Sequence, residues 1–325
     1  MSMSVGAHSS YDEPIATGGN REDLSDVLFD VSPTETPFIT LAKKGKSTGT
    51  NHEWLIDELE EPDENAHVEG DDAAPEDAAP RDRLGNYTQI FKKHAVVTGT
   101  QEKVLKGGGI KSEMAYQVAR RMKAMKRDAE SAMVGTVNGA KVPGNKSTAR
   151  KMGNFQSYLT GTSFQGGEGF VAPTGNGANT GTAGTERPLT EDLLKAGLAQ
   201  LWTQSGGNEN VNAIVGAYNR GIISNFTAAS TRYVTTDDKK LVASIDVYDG
   251  DFHTVTVTPD RFSDPASLFL VDRDYVSIAD LRPANTKDLA VLGDSTRKEI
   301  VWETTLEVCN PQAHLMIAAL TTADA

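Results

Sequence analysis

The charge on this chain is divided into two neighbouring blocks of opposite sign, and that division limits what the chain can fold into. Between His52 and Arg83 stand thirteen acidic residues, opposed only by Arg81 and Arg83. Between Lys92 and Arg127 stand ten basic residues, opposed only by Glu102 and Glu113. The acidic block contains a repeat, Asp71-Asp72-Ala73-Ala74-Pro75 followed by Glu76-Asp77-Ala78-Ala79-Pro80. Alanine, proline and carboxylates cannot supply the apolar area a core needs, so this stretch reads as an exposed loop tip. Before it, residues 52–59 alternate around Trp54 and Ile56. After it, residues 87–98 are rich in β-formers. Together they predict a long two-stranded ribbon with an irregular tip. A lone hairpin is marginal in water, so the ribbon is expected to lie on something.

Gly107, Gly108 and Gly109 break the chain, and Ser112 with Glu113 opens a helix that Gly135 closes. Met114, Val118, Met122, Met125, Ala129 and Met133 recur at steps of three and four, giving one apolar face. The other face carries Arg120, Arg121, Lys123, Lys126 and Arg127. Residues 153–186, dominated by Gly, Thr, Asn and Ser, read as a loop or weak hairpin. Thr190 is a good N-cap for a helix led by Glu191 and Asp192. A strand at 211–215, a helix at 217–226, and strands at 241–248, 254–257, 268–271, 275–281, 299–308 and 313–320 follow. The fold class is α+β. Asn310-Pro311-Gln312 suggests a terminal hairpin of the last two strands.

Composition narrows the function. The 325 residues suit two compact lobes with extended arms. No apolar run is long enough to cross a bilayer, which predicts no membrane partner. The first twenty residues lack the basic and apolar regions of a signal peptide and read as a polar tail. One cysteine, Cys309, excludes an intrachain disulfide framework and fits a reducing cytoplasm. A net charge of −13 disfavours a protein that grips nucleic acid by neutralising phosphates, but suits a container whose wall must not cling to its cargo.

Motifs that would carry chemistry fail on spacing. His52-Glu53-Trp54-Leu55-Ile56 lacks the second histidine of a zincin, and Gly45-Lys46-Ser47-Thr48 lacks the first glycine of a phosphate loop, which falls on Thr40. Asp246, Asp249 and Asp251 around Gly250 do not have EF-hand spacing. The six histidines are scattered without paired ligand spacing. Cys309 reads as a buried structural thiol. Asn225-Phe226-Thr227 is a glycosylation sequon, irrelevant to a chain that stays in a bacterial cytoplasm. The expectation is no enzyme, no cofactor and no metal site. The methionine face reads as core. The basic face has three readings: a nucleic-acid stripe, a solvated face, or a seat for the acidic loop of a neighbouring copy. The acidic block upstream favours the third, with Glu58, Glu60, Glu61, Asp63 and Glu64 meeting Arg120, Lys123, Lys126 and Arg127 between subunits.

The order of parts is polar arm, acidic ribbon, glycine break, long amphipathic helix, compact α+β region, terminal strands. It resembles the major capsid proteins of tailed bacteriophages, with the HK-97-like fold. Local sequence resembles one capsid family within that group. The stretches Arg21-Glu22-Asp23-Leu24-Ser25-Asp26-Val27-Leu28-Phe29 and Ser32-Pro33-Thr34-Glu35-Thr36-Pro37-Phe38 look like its N-terminal signature. Asn86-Tyr87-Thr88-Gln89-Ile90-Phe91 looks like the return from its extended loop. Ala217-Tyr218-Asn219-Arg220 and Ile223-Ser224-Asn225-Phe226 look like later blocks. The resemblance implies an N-terminal arm at 1–45, an extended loop at 46–90 and a peripheral domain at 91–186 and 296–325. A spine helix at about 112–135 and an axial domain at 187–295 complete the set. It implies self-assembly into hexamers and pentamers of an icosahedral shell around double-stranded DNA, held without sequence-specific binding, in a virion assembled in the bacterial cytoplasm. Scaffolding, portal and decoration proteins are the further partners such a shell takes. The alternatives are a tail or decoration subunit and, less favoured, a phage polysaccharide hydrolase.

Overall fold

The computed structural model describes residues 35–59, 64, 66–70, 80–106, 109–204, 210–226, 247–291 and 293–323. The arm signature up to Thr34, the Asp71–Ala79 part of the acidic repeat and residues 241–246 of one expected strand lie outside them.

The first described elements are a short helix α1 (Pro37–Leu41) and strand β1 (Lys43–Lys46). Then come β2 (Asn51–Ile56), β3 (Asp82–Tyr87), β4 (Gln89–Thr98) and α2 (Gly99–Lys103). The long helix α3 (Glu113–Met133) begins where its sequence signals place it. Ser112 Oγ accepts from Ala115 N at 3.2 Å. Glu102 from the preceding turn accepts from Glu113 N at 3.0 Å and Met114 N at 3.2 Å, satisfying two further helix donors. The Ser112 hydroxyl, then those backbone N–H groups, hold the Glu102 carboxyl below the usual carboxylate range. Gly135 ends the helix in a close approach: a Cβ there would lie 2.5 Å from the Phe262 carbonyl oxygen.

Beyond α3 the chain forms β5 (Phe164–Gln165), α4 (Glu191–Gln204), β6 (Asn210–Val215), α5 (Ala217–Ser224) and β7 (Val247–Asp249). It ends with β8 (Thr254–Pro259), β9 (Leu268–Val271), β10 (Val276–Asp288), β11 (Ser295–Val308) and β12 (Leu315–Ile317). Thr190 Oγ1 caps α4 by accepting from Leu193 N.

Three sheets result, ordered β1-β10-β11-β4, β5-β12-β9-β6-β8-β7, and β2-β3. Helix α3 lies on the first through Met125, Ala129 and Met133, in one core with Phe91, Ile300, Trp302 and Leu306. Helices α4 and α5 pack on the second through Leu194, Leu198, Leu201 and Ile223.

Two expectations change. The ribbon's return strand is β3, whose residues 82–87 pair with 51–56, and not residues 87–98. Thr88 interrupts the run, and β4 pairs instead with β11 because Phe91, Ala95 and Val97 alternate into the core. The terminal hairpin does not form. Strand β11 belongs to the four-stranded sheet and β12 to the six-stranded one, and a 3₁₀ turn at Pro311–Ala313 carries the chain between them. Residues 153–186 are irregular, as expected, yet Phe155, Tyr158, Leu159 and Phe164 are fully buried in the core under α3. Strand β10, from the segment expected to be axial, pairs with β11 and β1. Strand β12, from the segment expected to be peripheral, pairs with β9 and β5.

Candidate assembly surfaces

The ribbon is held at its base by buried polar groups whose hydrogen bonds are met, which is what makes a two-stranded element stable here. Asn86 is fully buried. Its Nδ2 donates to Leu306 O at 2.8 Å and Gly153 O at 3.3 Å. Its Oδ1 accepts from Gly153 N at 2.8 Å and Tyr87 N at 2.9 Å. Gly85 O accepts from Lys141 Nζ at 2.6 Å and Tyr158 Oη at 3.1 Å. Trp54 lays its ring 5.8 Å from that of Tyr158.

One residue further on, at the break between ribbon and sheet, a charged clamp closes. Glu303 on β11 is 3% exposed. It accepts from Arg150 Nη2 at 2.6 Å, from Arg282 Nε at 2.6 Å and from the Thr88 hydroxyl at 2.9 Å. Arg150 Nε also donates to Thr88 O at 3.1 Å. The clamp ties the ribbon's exit to β10, β11 and the Arg150 loop. In the sequence Glu303 is one of three glutamates at four-residue steps, with Glu299 and Glu307, and nothing local marks it out.

A second buried carboxylate holds α1. Glu130, on the last turns of α3, is fully buried and accepts from Phe38 N at 2.6 Å and Ile39 N at 2.9 Å. Burial first, then the charge of Asp260, pushes its carboxyl up to about 8. Burial raises Asp260 as well, while Phe262 N donates to its Oδ1 at 2.9 Å. Burial and the neighbouring Asp260 therefore hold a proton on Glu130. Between the ordinary carboxyl range and about pH 8 the native chain holds a proton that the unfolded chain has lost. Stability contributed by this site thus falls as pH rises through that window. Glu130→Gln, which cannot titrate, is expected to flatten the decline of melting temperature between pH 5 and 8 relative to wild type. Equal slopes for the two proteins would refute the proton held on Glu130.

The residues expected to join subunits are distributed as follows. Glu60, Glu61 and Asp63 lie outside the described residues. Glu64 is exposed and already engaged in an interaction. Glu58 is exposed, but its carboxylate accepts from Gln312 Nε2 at 2.8 Å within the same chain. Asp57 pairs with Arg81 at 3.2 Å and Glu53 with Arg83 at 3.6 Å, so the two arginines of the acidic block brace the ribbon itself. On α3, Arg120, Arg121, Lys123 and Lys126 are exposed, Lys123 with an interaction of its own. Arg127 is the exception: its guanidinium lies 5.1 Å from the Phe262 ring centroid, and Nε is buried. It packs α3 on the 260–264 loop, because the helix face turns inward there.

Among the described residues no group of three His, Cys, Asp or Glu is placed to hold a metal ion, and no helix is long and apolar enough to cross a membrane. His314 is fully buried; its Nδ1 accepts from Asp272 N at 3.2 Å, and burial drives it down to about 4. Cys309 is half-buried, and burial pushes its thiol up to about 11. His314 is a packing residue.

Comparison with known proteins places this architecture. The family model described as SU10 major capsid protein matches residues 10–321. The major capsid protein of Escherichia phage Phieco32 is 31% identical over 126 residues, covering 38% of this chain and 34% of that protein. The match thus spans about a third of that relative's length. The Cyanophage A-1(L) capsid asymmetric unit superposes with a TM-score of 0.71 at 12% identity, covering 95% of this chain and 99% of that one. The capsid of a native GTA particle gives 0.64 at 13% identity, with 100% of both chains covered. The Mycobacterium phage Adephagia chain gives 0.61 at 10% identity, covering 98% and 100%. At these identities the likeness is one of fold, and the fold is HK-97-like.

Proposed function

The chain belongs to the SU10 major capsid protein family, and from that premise we propose that its copies close into an icosahedral shell of hexamers and pentamers around double-stranded DNA. Its role is structural. One observation carries the reading: the family match runs from residue 10 to 321, through ribbon, spine helix and both large sheets. Assembly takes place in the bacterial cytoplasm, and scaffolding, portal and decoration proteins are further partners.

In this reading β2 and β3 belong to the extended loop. Helix α3 with the four-stranded sheet forms the peripheral domain. The six-stranded sheet with α4 and α5 forms the axial domain around the capsomer centre. The acidic ribbon reaches a neighbour's α3 and faces Arg120, Lys123 and Lys126. Many weak contacts, each repeated by symmetry, hold the shell, and charge sets the register of each. The net charge of −13 keeps the wall from clinging to packaged DNA.

Electron microscopy of the purified protein, alone and with the phage's scaffolding protein, tests the proposal. Closed shells are expected. Tubes or small rings would point to a tail or decoration subunit, and glycan-cleaving monomers to an enzyme.

A further inference from the structure

We propose that a groove beside the ribbon of one copy receives the protruding tip at Val104 and Leu105 of a second copy. This inference rests on the shell reading and adds to it an apolar contact that the charge blocks do not predict.

The groove is about 680 Å³ and runs between the end of β2 and the turn that follows β11. Leu55, Asp57, Glu58 and Leu59 line one side, and Cys309 and Gln312 lie on the other. Leu55 is 61% exposed and Leu59 is 98% exposed. At its edge Asp57 pairs with Arg81 at 3.2 Å, so Glu58 leaves the rim one net negative charge, and the lining itself contains no lysine or arginine.

The tip has the opposite character. It runs from the last residue of α2 as Lys103-Val104-Leu105-Lys106, with Leu105 95% exposed and Val104 52% exposed. It is also held in shape. Glu102 ties it to the first turn of α3 through Glu113 N and Met114 N, and Lys106 Nζ donates to Glu102 O at 2.8 Å. A pre-shaped protrusion loses little freedom on docking. A single exposed leucine is ordinary on a protein surface. Here a cationic, apolar protrusion and an acidic, apolar groove occur on one chain as two different surfaces. That is the arrangement a head-to-tail contact between identical copies requires. Leu105 would enter between Leu55 and Leu59, and Lys103 would face Glu58.

Two variants test this. Leu105→Asp places a carboxylate against the acidic rim. It is expected to lower particle yield by about tenfold or more, since a loss at one contact is repeated at every copy in the shell. Its melting temperature should match wild type, because the side chain is exposed. In a Cys309→Ala background, Leu59→Cys with Leu105→Cys should give ladders of disulfide-joined subunits in oxidised shells, and neither single cysteine should. Wild-type shells accompanied by normal yield from Leu105→Asp, or by shells of the double-cysteine protein without ladders, would overturn the docking alone. Absence of particles from the wild type under every condition would overturn the shell reading and the docking with it.

Discussion

Reversing Arg120, Arg121 and Lys126 to Glu is expected to reduce particle yield by at least about tenfold while leaving the subunit's melting temperature within a degree or two of wild type. All three side chains are exposed on α3, so the folded chain places little weight on them. Isolated surface charges contribute about 0–1 kcal/mol to folding. In the shell the same face would meet the acidic ribbon of a neighbour. Reversal there replaces attraction with repulsion at every copy, and like charges facing one another across an interface cost several kcal/mol. Sedimentation of assembled material against free subunits measures the effect. Arg127 belongs to the fold instead, through its contact with Phe262. Unchanged yield would remove the ribbon-to-helix pairing.

Glu303→Ala is the substitution expected to cost the subunit most. It deletes the acceptor shared by Arg150, Arg282 and Thr88, leaving a partly buried guanidinium and a buried hydroxyl without their partner. Breaking a buried ion pair from one side costs about 3–5 kcal/mol. Arg150 keeps 27% and Arg282 49% of its side chain in contact with solvent, which draws the expectation to the lower end, about 3 kcal/mol. Denaturant unfolding measures it. Protease cleavage near residue 88 should rise in parallel, because the clamp joins the ribbon to the sheet. Glu303→Gln keeps one acceptor and should lose less. An alanine variant with the wild-type midpoint would show that the clamp is dispensable.

The two substitutions lie on opposite sides of what can be read from residues alone. The basic face of α3 was visible because a helix displays its pattern every three or four positions. The same pattern assigned Arg127 to the exposed face, since nothing within four residues reveals that Phe262 packs on it. Glu303 had no pattern to betray it: its partners lie 21, 153 and 215 residues away. Glu130 was legible only as a charge among Ala129, Ala132 and Met133, and its partners come from α1 and from the end of β8.

Strands show the same divide. Their existence follows from alternation and β-branched residues, and β4, β6, β8, β9 and β11 lie where those signals fall. Their pairing does not follow, because several apolar strands of similar composition compete for each edge. Residues 87–98 read as the ribbon's return strand, yet 82–87 close the ribbon and Thr88 parts them from 89–98, which joins another sheet. The last two strands looked like a hairpin until burial of Leu315, Met316 and Ile317 against β9 drew them apart.

By itself the sequence determined the segregated charge, the capped amphipathic helix, the irregular 153–186 segment and the α+β class. Capping, periodicity and charge are properties of near neighbours. Only the tertiary structure decided that the ribbon is bolted through Asn86 and Glu303, and that Phe155 and Tyr158 make a glycine-rich loop part of the core. It also decided that the two terminal strands serve different sheets. Those outcomes depend on burying apolar area and satisfying polar groups between residues far apart in the chain, and no local window contains both partners.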